Sequence, residues 1–169
     1  VMGFGLERFK SFRILPIIFA HEYGHYLRRF RNGDPFGDGT SGGKRPLGEV
    51  LLAEGLSVTF SRLAFPEHPL AEHLLLPRSR LNWCQQNEGW LRRLIAGKLG
   101  TSELVPVLFG SSGYRLGLPP RTGYYLGYRL VEDYVREHGR DGLQRLIQAR
   151  NIAELHPPFP QEYGDTNHA

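Results

Sequence analysis

His21-Glu22-Tyr23-Gly24-His25 constrains this chain more than any other stretch. On an α-helix, residues four apart share a face. An HExxH run therefore aims two imidazoles at one point with a carboxylate beside them, the arrangement that binds one zinc ion and activates one water. Shuffling a chain with seven His in 169 residues yields this pattern with a probability of about 2%, so its setting has to carry the rest. That setting is helical. Pro16 suits a first turn, residues 16–30 read as one helix, and Phe19, Tyr23, Tyr26 and Phe30 recur at helical spacing. This aromatic stripe is read as core packing and as the side of the helix that faces the body of the protein. His21 and His25 lie on a neighbouring stripe, near Ile14, Ile18 and Glu22.

HExxH supplies two nitrogen ligands, whereas catalytic zinc usually takes three protein ligands and keeps one position open. Glu54, 29 residues beyond His25, is the best candidate for the third. Leu47, Val50, Leu51 and Val58 define the core-facing stripe of a second helix over 47–63, and Glu54 falls in its middle. An unpartnered carboxylate there costs on the order of several kcal/mol. A metal ion on the preceding helix offsets that cost; an arginine partner is the alternative. Gly55 costs about 1 kcal/mol inside a helix and is read as the point where these two helices approach. Glu22, next to the first ligand, reaches the water as general base and returns the proton to a leaving amine; a salt bridge with Arg29 or Lys10 is its alternative. Tyr124, Tyr125 and Tyr128 offer phenols to an oxyanion, a contribution of about 2.7–4 kcal/mol, against plain packing as the other reading. Tyr124 and Tyr128 stand one turn apart, with Gly123 and Gly127 as a small groove beside them.

The rest of the chain organises around these segments. Residues 32–46, with five glycines and two prolines, read as a long exposed loop. A short apolar piece over 70–76 precedes a helical region over 78–99, and a Gly/Pro-rich connection covers 110–120. Thr122 is expected to cap a helix reaching His138, with Gly139 as its stop, and Asp141 to cap a last helix to Arg150. A short strand within 1–9 and an irregular tail over 157–169 complete the reading of one domain over 1–169. His68, His73, His138, His156 and His168 read as surface or capping residues.

Composition removes several function classes. No apolar run approaches the roughly 18 residues of a membrane span, and the longest near the motif, Ile14 to Ala20, leads straight into His21. Cys84 stands alone, which excludes a disulfide framework and a cysteine zinc site. With no signal-peptide pattern, the chain leans to a cytoplasmic setting. It begins with Val1 and not with a methionine, which leaves room for an upstream segment. The net charge of +4 comes mainly from arginines spread along solvated helix faces, without the stacking aromatics of a nucleic-acid surface.

HEYGH, AEGLSVTF and PPRTGYYLGYRLVEDY together resemble a bacterial family of zinc-dependent proteases long filed as a domain of unknown function. That family pairs HExxH with an EGLA-like and a later GYxxGY-like segment. The pattern falls on His21, Glu22, His25, Glu54, Gly123, Tyr124, Gly127 and Tyr128, with Val107 to Gly110 also fitting, and covers about residues 14–150. The resemblance implies a gluzincin-type metallopeptidase acting on a peptide or protein substrate. The implied fold is mainly α, a zincin-like helical core with the usual N-terminal β-sheet reduced or absent, or α+β if sequence is missing upstream. Two departures stand out. Thermolysin-like relatives carry an aspartate four residues after the glutamate ligand, where this chain has Val58. Only about 15 residues precede the HExxH helix, too few for the usual sheet and its substrate-holding edge strand. The alternative function is a catalytically impaired zincin-like binding or regulatory domain.

Overall fold

The computed structural model describes residues 12–31, 45–110, 112–113 and 117–155. All regular elements among them are helical, with no strand, in keeping with a mainly α chain. A short 3-10 turn, Phe12–Ile14, leads into α1 (Leu15–Arg31); α2 (Leu47–Ala64), α3 (Leu70–His73), α4 (Arg78–Gln86), α5 (Glu88–Ile95), α6 (Val105–Leu108) and α7 (Thr122–Gln148) follow, and a last 3-10 turn spans Ile152–Glu154. The expected strand over 1–9 and the tail over 157–169 lie outside the described residues, as does most of the loop over 32–46. None of the described helices is long and apolar enough to cross a membrane.

α2 is the hub. It is apolar nearly all round, and Leu47, Val50, Leu51, Leu52, Leu56 and Val58 are buried, the signature of a helix enclosed by neighbours. Each such side chain contributes roughly 1.5–3 kcal/mol by leaving water. α7 and α1 pack on its two sides. The α2–α7 contact is a backbone contact: a Cβ on Gly55 would sit 2.2 Å from the Gly127 carbonyl oxygen, and one on Gly127 would sit 2.3 Å from that of Leu51. Gly55 therefore serves the approach of α7, a correction to the expectation that it serves α1. The α1–α2 approach uses Gly24, where a Cβ would lie 3.2 Å from the Ser57 Cα.

That choice of interface overturns the reading of the aromatic stripe. α1 buries Ile17, Ala20 and His21 against α2, while Phe19, Tyr23, Tyr26 and Phe30 on the opposite face are 48%, 47%, 39% and 59% exposed. Small residues let two helix backbones come close, whereas four rings on that side would hold them apart. The rings instead pair with one another, Tyr23 with Tyr26 and Tyr26 with Phe30, at 6.0 and 6.2 Å between centroids.

Local signals set the other boundaries with two changes. The region over 78–99 is broken at Asn87, whose amide donates to the Trp83 carbonyl at 2.8 Å. Thr122 is the first residue of α7 and not its cap; its hydroxyl donates back to the Pro119 carbonyl at 2.6 Å, and Arg121 precedes the helix. Gly139 interrupts α7 with φ 62° and ψ −148°, a conformation that suits glycine, before the helix resumes to Gln148. Arg28 ties this far end to α1, donating to the carbonyls of Ala149 and Arg150 at 2.8 and 3.1 Å.

Candidate metal centre

One turn of α1 and one turn of α2 build the site. Helical spacing sets the His21 and His25 rings 4.9 Å apart. The Gly24–Ser57 approach brings α2 close enough for Glu54 to meet both. His21 Nε2 lies 3.1 Å and His25 Nε2 3.3 Å from the same oxygen, Glu54 Oε2. Burial pushes the Glu54 carboxyl up, but its contacts with His21 and His25 outweigh this and hold it at about 2. The group is ionised at neutral pH, in a place where a charge needs a partner.

The geometry fits a small tetrahedral cation. Ligand bonds of about 2.0–2.1 Å at tetrahedral angles place two ligand atoms roughly 3.3–3.4 Å apart. The nitrogen–oxygen distances of 3.1 and 3.3 Å come close to that separation, and all three candidate ligand atoms lie within 4.8 Å of one another. Two neutral nitrogens and one carboxylate are donors that zinc accepts.

Glu22 is half-buried on α1 and makes no hydrogen bond or ion pair among the described residues. The salt bridge to Arg29 is not formed there, and Lys10 lies outside those residues. The Glu22 charge acts instead on Tyr124. The three candidate tyrosines in the first turns of α7 separate by direction. The Tyr124 ring stands 6.2 Å from the His21 ring and edge-on to Phe109 at 5.3 Å. Phe109 itself fills the space over Gly123, where a Cβ would come within 2.5 Å of the ring. Burial, then the carboxylates of Glu54 and Glu22, push the Tyr124 phenol up, with Arg121 opposing. It therefore remains a hydrogen-bond donor at neutral pH. Tyr125 donates to Glu88 at 2.5 Å. Tyr128 donates to Glu132 at 2.5 Å and accepts from Arg62, on a separate pocket of 390 Å³ that also includes Gln85 and Arg129. Of the tyrosines offered as oxyanion donors, Tyr124 borders the His21–Glu54 group, and the Tyr125 and Tyr128 hydroxyls are engaged elsewhere.

Arg121 is a residue of this site that sequence reading did not single out. Its guanidinium lies 3.8 Å over the Tyr124 ring. Nothing in the order of residues distinguishes it among the arginines; its backbone conformation and its neighbour do.

A family model described as "Predicted Zn-dependent protease (DUF2268)" matches residues 1–152. The chain belongs to this family. Within this predicted Zn-dependent protease family, the match spans the whole of α1, α2 and α7, the helices that carry the site. No curated protein and no solved structure gives a significant match. The family description agrees with the resemblance carried by the three motif segments, and it extends to zinc dependence and proteolysis.

Proposed function

We propose that this chain is a zinc metallopeptidase in which His21, His25 and Glu54 hold the ion and Glu22 is the general base. The observation that carries this reading is the convergence of His21 Nε2 and His25 Nε2 on one carboxylate oxygen of the partly buried Glu54. Bound zinc supplies Lewis acidity toward a water and toward a substrate carbonyl. The Glu22 carboxylate accepts the proton of the attacking water and passes it to the departing amine nitrogen. Its freedom from ion pairs among the described residues suits a group that must change protonation during the reaction. The Tyr124 hydroxyl, protonated because burial and two carboxylates raise its pKa, donates to the carbonyl oxygen as negative charge gathers there. Glu54 stays ionised throughout and orients the two imidazoles.

Metal analysis and one substitution test the reading. The purified chain is expected to hold about one zinc, and Glu22→Gln is expected to keep that zinc while losing cleavage of a denatured protein substrate. A Glu22→Gln variant that cleaves like wild type sinks the general-base assignment. Absence of zinc from wild type after growth in zinc-supplemented medium sinks the whole reading. Zinc retention without cleavage in wild type favours the non-enzymatic binding domain.

A further inference from the structure

Arg121 has an unusual backbone. It is a non-glycine residue with φ 67° and ψ 15°, directly ahead of α7. The left-handed region costs an L-residue free energy, and such outliers persist where surrounding contacts hold them. Two contacts do so here. The Arg121 Nε donates to the Leu74 carbonyl at 2.8 Å, and the guanidinium stacks on Tyr124 at 3.8 Å. A hydrogen bond from the Arg121 side chain to Tyr124 adds to the stacking. Among the described residues Arg121 makes no ion pair, although Arg62, Arg92, Arg129 and Arg136 all find carboxylates on α7. A half-buried cation is thus held rigidly with no carboxylate partner among the described residues.

Its position relates it to the metal centre. Arg121 sits on the ring that faces His21, and the two centroid distances bound its separation from the His21 ring at about 10 Å. An extended peptide advances roughly 3.3–3.6 Å per residue, so a group within about three residues of the scissile bond reaches it. Neither carboxylate of the site pairs with Arg121: Glu54 meets the two imidazoles, and Glu22 makes no ion pair among the described residues. A planar guanidinium has more N–H donors than its Leu74 and Tyr124 contacts use, and the remainder suit a carboxylate.

We infer that Arg121 is a specificity residue that binds a carboxylate of the substrate peptide, either its free C-terminus or an Asp or Glu side chain near the cleaved bond. This inference rests on the zinc peptidase reading. Four ligands test it on the zinc-loaded protein: a malonyl hydroxamate joined to Leu-Ala with a free C-terminus, the same compound as its C-terminal amide, and the C-terminal amides of the Leu-Glu and Leu-Gln compounds. Calorimetry gives each Kd. In wild type, the acid member of at least one pair is expected to bind about 10-fold tighter than its neutral partner, the range of one charge-assisted hydrogen-bonded pair. In Arg121→Gln that preference is expected to fall within about 2-fold, and Arg121→Lys is expected to restore part of it. Preference in the C-terminal pair identifies the peptide terminus, and preference in the Glu/Gln pair an acidic side chain; either result supports the inference. Equal binding within both pairs in wild type, or a preference that survives Arg121→Gln, overturns it while leaving the zinc site standing. Failure of all four ligands to bind zinc-loaded wild type overturns the zinc peptidase reading and this inference with it. The wild-type comparison needs no variant, so a poorly folding Arg121→Gln does not shelter the idea.

Discussion

Two pairs of histidines flank α2, and they differ in where their nitrogens point. His21 and His25 both direct Nε2 to one oxygen of Glu54. His68 and His73 lie 6.4 Å apart and also have a glutamate nearby, yet each has its own partner. His68 Nδ1 meets Glu72 at 2.6 Å, and its Nε2 lies 3.5 Å from Glu67. His73 is 2% exposed and meets Ser61 at 2.9 Å. The Ser61 hydroxyl donates to the Val58 carbonyl at 2.9 Å, so His73 Nδ1 is the donor in that contact. The sequence reading of His73 as a surface or capping residue is corrected: it is a core histidine whose Nδ1 meets a core serine. A metal site needs lone pairs converging on one point, and proximity of imidazoles alone does not supply that.

The largest effect tests the contrast directly. His21→Ala or Glu54→Ala removes one of three ligands, about a third of a zinc-binding free energy of roughly 10–16 kcal/mol, and is expected to weaken zinc affinity about 10³-fold or more. His68→Ala and His73→Ala are expected to leave zinc per chain unchanged in metal analysis after dialysis against a weak chelator. Zinc loss from the second pair and not the first would reverse the comparison.

Next come two tyrosines of α7 that differ in the same way. Tyr124 borders His21, whereas Tyr128 bonds Arg62, whose charge acts on His73. Tyr124→Phe is expected to lower kcat about 10²–10³-fold with zinc retained. Tyr128→Phe is expected to leave kcat near wild type and to cost about 1–2 kcal/mol of stability for its lost buried hydrogen bonds. Equal kcat losses in the two variants would dissolve the distinction between them.

A smaller effect concerns the frame that aligns both pairs. Gly55→Ala drives a methyl into the Gly127 backbone. It is expected to cost about 2–3 kcal/mol, or a Tm lower by roughly 4–12 °C. An unchanged Tm would mean that the α2–α7 contact yields easily.

The smallest effect is the pH response of the second pair. Burial, then the charge of Arg62, lowers the pKa of His73, so the folded state favours its neutral form. That contribution to stability is complete above the unfolded pKa of about 6.5 and is lost as pH falls from there through the lowered folded value. His73→Gln is expected to flatten Tm against pH over that window. A wild-type slope that survives the substitution would assign the response to another group.

Much of the helical frame was legible because it is written in local signals. The bounds of α1 and α2 follow from an apolar period of 3.6 and from a Pro early in α1 and just before α2. The interruption at Gly139 follows from the residue that best tolerates a positive φ. What was not legible was the choice between two stripes of one helix. Hydrophobicity favoured Phe19, Tyr23, Tyr26 and Phe30, yet α1 packs through Ala20 and Gly24 because close backbone approach needs small residues. The same cause redirected Gly55 from α1 to α7.

By itself, the sequence determined that His21 and His25 share a helix face and that Glu54 sits among apolar residues on the next long helix. Both facts depend only on the helical repeat. The tertiary structure decided that these faces meet, that Tyr124 turns toward them while Tyr128 turns away, and that Arg121 stacks beside the site. These depend on how closely α1, α2 and α7 approach, and glycine contacts far apart in sequence set that distance.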